Sequence, residues 1–308
     1  MKLLILVLTF FSLNLKAQSN TATTDSNYIK LVTAAFEGLK KGDCKPCLEK
    51  YEAAFRVSQR SVLSRLRAAL CAFDCKNDEA FQLHLNFALE KDFGLVEQIL
   101  ADDYPEFDKY RETDFYKMAN DKLEKKLSLA GYDLALRKEL ETINKDDQSL
   151  RVKLADMTIS QNEKDSIWTK INALDIINLD KIEKIFEKHG YPSTSKVGTR
   201  FSSTAFLVVQ HSNLATMKKH YKLIEDAVNK GDLAKSSFAL FVDRYRMWSG
   251  DKQLYGSQLK NENGGAMYFH PIEDEENVNK RRAEMGLGTL EEYAKHFNID
   301  YKLPVKKE

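Results

Sequence analysis

The stretch Asp232–Gln258, DLAKSSFALFVDRYRMWSGDKQLYGSQ, decides how the C-terminal half of this chain is read. Phe238 to Val242 are apolar without a break and so cover every face of a helical turn; such a helix is expected to be surrounded by protein. Asp232 is placed to cap its start and Gly250 to stop it. Directly after the apolar turn stand Asp243 and Arg244, charges whose burial is costly unless they are paired or used. Gln253-Leu-Tyr255-Gly-Ser-Gln258 first alternates and then turns on Gly256, as a strand entering a site would.

The same signature occurs again upstream, where Ala205 to Val209 are uninterrupted apolar residues followed by Gln210 and His211. Two buried helices that each end in a polar pair are expected to bring those pairs together, with Gln253–Gln258 closing the same pocket, because a domain of this size has one main core. Around them, Leu136, Leu140 and Ile143 form a helical stripe, and Asp147-Gln148-x-x-Arg151 is expected to open or cap the next element. A helix should end near Asp175, and Asn178 should cap another over Leu179–Lys188, stopped by Gly190. The helix carrying His211 is expected to begin near Ser195, and Leu214, Met217, Tyr221, Ile224 and Val228 line one face of an amphipathic helix ending at Gly231. Gln253–Lys260 and Ala266–Pro271 read as two strands joined through Asn263-Gly264-Gly265. Asn277–Met285 reads as a short basic helix, and Thr289 with Glu292 as a capping box for the last one.

Taken in order, Asp147-Gln148-x-x-Arg151, Gly190-Tyr-Pro192 with Val197-Gly198, Gln210-His211, Asp243-Arg244, Gln253-x-Tyr255-Gly256-Ser257-Gln258 and Arg281-Arg282 with Gly286-Leu287 resemble the bacterial domain-of-unknown-function family 6624, over roughly Leu127 to Tyr301. Three positions depart from its pattern: Tyr191 stands for a more usual Trp, Ser257 for Thr, and Ser212-Asn213 where a His-x-Asp pattern is expected. The family has no established activity, so the resemblance implies a shared site without naming its chemistry.

The N-terminal half has a different rhythm. From Asn27 to about Lys91 the apolar pattern repeats after about 34 residues: Ala35, Phe36 and Leu39 map onto Ala69, Leu70 and Phe73, and Tyr51 and Ala54 onto Leu85 and Ala88. Paired helices at this period resemble tetratricopeptide repeats, with Phe93 to about Leu127 supplying the helices that close the stack. Such a stack serves either as a scaffold or as a concave surface for a peptide or protein partner. The fold expected is therefore mainly α: TPR-like helical hairpins over 25–120, then a helical domain over 127–303 with one small β-hairpin.

All the cysteines lie in the first of these domains. If the helices on either side of Gln59 form an antiparallel hairpin, Cys44 faces Cys75 and Cys47 faces Cys71, giving two disulfide rungs. A four-thiolate zinc site or a redox pair at Cys44 and Cys47 are the alternatives. Met1–Ala17 reads as a secretory signal, with Lys2 as its charged start, an apolar core over Leu3–Leu13 that is too short to span a bilayer, and a cleavage site after Ala17. Its removal would take two positive charges from a chain of net charge +1, and that balance favours neither nucleic acid nor stable membrane insertion. The localisation expected is periplasmic or secreted.

For chemistry, His211 is placed to act as general base or acid and Asp243 to orient it, making these the candidate catalytic pair. Arg244 suits a carboxylate or phosphate, and Gln210, Gln253, Tyr255 and Gln258 suit hydrogen bonds to a small polar ligand. The competing reading is a satisfied core histidine beside a buried ion pair that fixes how two helices meet. No GxSxG, HExxH, phosphate loop or dinucleotide fingerprint is present, and neither a cofactor nor a metal is implied. His84, His189, His220, His270 and His296 lack metal-ligand spacing and read as structural or solvent-exposed. The sequence leaves open an enzyme acting on a polar extracytoplasmic substrate and a non-enzymatic binding or scaffold protein.

Overall fold

The computed structural model describes residues 25–304 apart from 60, 103, 155, 157 and 262–266. The expected signal segment and the expected Asn263-Gly264-Gly265 turn lie outside these residues. The fold is mainly α, in two compact units that divide between residues 134 and 135.

In the N-terminal unit, α1 (Ser26–Lys41), α2 (Cys44–Val57), α3 (Val62–Asp74) and α4 (Asp78–Ala101) pack each against the next. Starts are marked chemically: Asp25, Ser61 and Asn77 accept backbone N–H groups at the first turns of α1, α3 and α4. Ala35, Ala69, Tyr51, Leu85, Ala54 and Ala88, all positions related by the repeat, are fully buried. Helix α4 is two helices in sequence, since Asp92 leaves helical geometry (φ −165°, ψ 89°) and its carboxylate accepts Leu95 N–H at 2.9 Å. After α5 (Pro105–Asp108) comes α6 (Asp114–Leu129), which packs on α4. Phe115 of α6 meets Phe73 and Phe81, each at 5.7 Å between ring centroids, and also Phe107 and Tyr110. With Leu123 and Leu127 buried in the same core, the unit extends past residue 120, beyond the span that the repeat period alone covers.

Cys44 is bonded to Cys75 and Cys47 to Cys71, with Cα–Cα separations of 5.4 and 6.0 Å, so the start of α2 is tied to the end of α3. At the opposite end of the α2–α3 pair, where α3 starts, lies a buried cation. The Arg65 guanidinium sits 3.7 Å from the Phe55 ring and 4.0 Å from Phe87, and its Nη1 donates to His84 Nδ1 at 3.0 Å. Burial, followed by the Arg65 charge, pulls His84 down to about 4, so the ring is a neutral acceptor.

The C-terminal unit opens with α7 (Leu134–Leu154) and α8 (Gln161–His189), followed by α9 (Thr194–Ser202), α10 (Thr204–His211), α11 (Leu214–Asn229) and α12 (Lys235–Trp248). The expected break at Asn178 does not occur: α8 runs through it and carries Asn178 fully buried on the face of Ile171, Ile182 and Ile185. Nor does Asp147-Gln148-x-x-Arg151 open an element, because it lies inside α7 and continues the Leu136–Leu140–Ile143 stripe. Ala205 to Val209 are buried throughout, so α10 is central as its sequence requires. Helix α12 is less enclosed, with Phe238 and Leu240 only half-buried. Asp232 caps a different helix from the one expected, accepting the Thr194 N–H at the start of α9 at 2.8 Å.

Strands β1 (Leu259–Asn261) and β2 (Met267–Phe269) pair antiparallel, Leu259 opposite Phe269, so the hairpin is shorter than its sequence pattern. Gln253–Gln258 is a loop, joined to the chain near Ile272 by a parallel bridge at Gln253 and by the His270 N–H, which donates to Gln258 O at 3.1 Å. Helices α13 (Val278–Glu284) and α14 (Leu290–Lys295) finish the unit, α14 with the Thr289–Glu292 capping box.

Two outcomes follow for the N-terminal unit. Non-reducing peptide mapping should recover Cys44–Cys75 and Cys47–Cys71, each bridge contributing roughly 2–4 kcal/mol; four free thiols or stoichiometric zinc would contradict it. Because His84 titrates near its ordinary 6.5 when unfolded and at about 4 when folded, the unfolded state binds more protons between those values. Stability should therefore fall as pH drops from 6.5 towards 4, and His84→Gln, which keeps an acceptor for Arg65, should flatten that part of the urea-unfolding profile.

Candidate functional site

The α7 stripe changes character as it proceeds. Its apolar half holds the core, and its last two turns turn the same face to polar use with Asp147 and Arg151. This face is pinned along α9 and α10: Arg137 donates to the Val197 carbonyl, Asn144 to Thr204 Oγ1 at 3.5 Å, and Asp147 Oδ1 meets His211 Nδ1 at 3.0 Å. Arg151 lies 3.5 Å from Asp147 and also pairs with Asp175 on α8. Gln148 donates to the second oxygen of Asp147.

The protonation states follow from these contacts. Burial alone would push the Asp147 carboxyl up, but the His211 hydrogen bond, the His211 and Arg151 charges and the Gln148 amide outweigh it and hold Asp147 below its ordinary value. Burial pushes His211 down; Asp147 opposes this, while Arg151 and Arg244 add to it, and the net shift is downward. At neutral pH the arrangement is thus a carboxylate and a neutral imidazole. The Nδ1–H donates to Asp147 and the lone pair is left on Nε2, a tautomer set by the acceptor it faces. Nε2 has no hydrogen-bond partner among the described residues, and the side chain keeps 13 % of its surface exposed. Asp175 lies above its ordinary value, burial outweighing its pair with Arg151.

The two polar pairs do meet. Arg244 Nη1 donates to the Gln210 carbonyl at 3.0 Å and its Nε to Gln258 Oε1 at 3.4 Å, linking α10, α12 and the loop. Asp243 has a different task from the one expected, because its oxygens accept the backbone N–H groups of Leu254, Tyr255 and Ser257 at 2.7, 3.0 and 2.8 Å. Both oxygens are thereby committed to the loop, and Asp147 takes the orienting place at His211. The carbonyls of the same loop are held from the other side: Arg281 donates to Leu254 O at 2.8 Å and Arg282 to Tyr255 O at 2.7 Å. Gln253 is likewise occupied, donating to Gln258 O and His270 O and accepting Gln258 N–H. Gly256 is required where it stands, since its φ is +69° and a Cβ would lie 2.8 Å from Leu290.

Of the seven residues expected to act at the site, His211, Gln210, Arg244 and Gln258 form one connected group, Asp243 and Gln253 build the loop, and Tyr255 rides on it half-buried with no partner for its hydroxyl among the described residues. Asp147 and Arg151 were expected only as part of the family-like pattern, with no role at His211, and Asp175 and Asn178 were not expected there. Their signal was present: each continues a buried helical stripe with a charged or amide side chain, at i+4 spacing for Asp147 and Arg151. Among the described residues no group of three or more His, Cys, Asp or Glu side chains is placed to hold a metal ion.

Residues 134–306 match the model of the Family of unknown function (DUF6624), and the chain belongs to that family. No curated protein and no solved structure matches the chain. The family span takes in the Asp147–His211 contact, the Arg244 link and the clamped loop.

Asp243→Asn should loosen the loop by weakening three charge-assisted hydrogen bonds. Amide exchange at Leu254, Tyr255 and Ser257 should accelerate by about tenfold or more, with α11 unaffected. Unchanged protection of those amides would show that Asp243 does not hold the loop.

Proposed function

We propose that the C-terminal unit is an enzyme of an extracytoplasmic compartment, in which His211 removes a proton from a polar substrate or from an attacking water and Asp147 positions it. The observation that carries this reading is the imidazole itself, anchored through Nδ1 at 3.0 Å, held neutral, and left with an unpartnered Nε2 among the described residues. A general base needs this combination of fixed orientation, lone pair and access. Two disulfides support an oxidising compartment, hence export, and none of the described helices is long and apolar enough to cross a membrane. The substrate class we favour is a glycan or peptide. We read the N-terminal helical pairs as TPR-like, a scaffold that offers a surface to a peptide or protein partner.

A non-enzymatic binding module is the second reading. It is favoured by the loop, where Asp243, Gln253, Arg281 and Arg282 spend their hydrogen bonds on backbone groups, as a purely structural network would.

Turnover screened on peptide, ester and glycan panels separates them. His211→Gln should lower kcat by about 10² or more with ligand affinity nearly unchanged. A base must be unprotonated, and His211 is shifted below its ordinary value in the free protein, so kcat/KM should hold through pH 6.5 and fall only at lower pH. Undiminished turnover by His211→Gln would end the enzymatic reading; ligand binding without turnover by the parent chain would establish the second.

A further inference from the structure

Arg244 is a buried cation with no counterion among the described residues. Only 4 % of its surface is exposed, its acceptors are the neutral Gln210 carbonyl and Gln258 carboxamide, and no carboxylate among the described residues lies within ion-pair distance. Its neighbour in sequence, Asp243, has both oxygens on the loop backbone. Nη2 has no partner among the described residues, although a guanidinium carries five donors in a fork suited to two oxygens at once. A second guanidinium is close enough to act on it: burial first, then Arg151, brings Arg244 down to about 10. Both cations also act on His211.

The surroundings are unsatisfied in a consistent way. Arg151 Nε, Gln210 Oε1 and both polar atoms of Asn178, which lies one turn beyond Asp175 on α8, are buried without a hydrogen-bond partner. Buried polar groups rarely stay orphaned, so a cluster of them marks a place where a polar occupant completes the network.

We infer that Arg244 and Arg151 form an oxyanion subsite beside His211, which takes a carboxylate or phosphate group carried by the substrate. As a statement about substrate this rests on the proposed reading of His211; as a binding site it rests on the two guanidinium groups alone. The oxyanion would give Arg244 the counterion it lacks and would place the rest of the ligand next to Nε2. The other charges facing this position are Asp147 on α7 and Asp175 on α8, both already engaged by Arg151, with Tyr293 of α14 the remaining titratable group acting on Arg244.

The test follows the His211 ring by NMR in the full chain during titration with sodium phosphate or sodium acetate, with sodium chloride at equal ionic strength as control. An anion held between the guanidinium groups favours the imidazolium, so the His211 pKa should rise saturably with one or both oxyanions and not with chloride; response to acetate alone assigns a carboxylate, to phosphate alone a phosphate. Arg244→Gln should weaken binding by about tenfold or more, and Arg244→Lys, which keeps the charge without the fork, should weaken it less. At mildly alkaline pH, where the parent ring is neutral with and without the anion, His211→Gln should bind the anion with nearly the parent affinity by calorimetry, so loss of the base reading leaves this inference standing. No saturable rise in the parent chain with either oxyanion, or an undiminished rise in a folded Arg244→Gln variant, would overturn it.

Discussion

The C-terminal unit depends on one buried carboxylate. Asp147 is 2 % exposed, and an ionised group so placed costs several kcal/mol unless its oxygens are answered. They are answered by the His211 ring on α10, by Gln148 and Arg151 on its own helix, and through Arg151 the network reaches Asp175 on α8. Three helices are thereby set in register by a polar contact that non-directional apolar packing would leave loose. The same contact gives His211 a defined tautomer and a defined direction. Structural constraint and chemical readiness arise from one set of hydrogen bonds, which is why the candidate site lies where the buried faces of α7, α8 and α10 turn polar.

Much of this was legible in the sequence where a local pattern and the tertiary environment agree. Uninterrupted apolar residues at Ala205–Val209 specified a central helix, and the meeting of its polar end with Arg244 followed from there being one core to share. The cysteine spacing carried the two rungs because a helical hairpin turns sequence distance into facing positions. Errors arose where a residue's local propensity was overruled. Asn178 is a good cap by type, but the surrounding pattern continues a helix, and its amide is spent inside. Asp147 and Arg151 looked like a helix start for the same reason: polar residues in a stripe read as its end unless the site that they serve is known. Asp232 did cap a helix, and tertiary structure chose which one.

Asp243 shows how a buried acid next to a histidine-bearing helix can mislead. Adjacent in space to the His211 region through Arg244, it satisfies three backbone donors of a loop whose carbonyls are held by Arg281 and Arg282. Burial raises its carboxyl and those donors oppose the rise. A loop anchored on both its donor and acceptor sides has few alternative conformations, and Gly256 is the residue whose backbone permits the turn. The loop therefore presents Tyr255 from a rigid support, at little ordering cost when something binds against it, while the Gln258 side chain is spent on Arg244 and Ser257.

The charge balance around His211 decides what the ring can do. Burial and the two guanidinium groups favour the neutral form, Asp147 favours the charged one, and the first set wins. Had Asp147 won, the imidazole would stand protonated at neutral pH, a donor on both nitrogens and no base. Because it loses, the carboxylate orients the ring without filling its lone pair, and the cations that keep the ring neutral are the same groups that an oxyanion would neutralise. Arrival of such a ligand would shift the balance towards the imidazolium and make Nε2 a stronger proton acceptor with the ligand in place than without it.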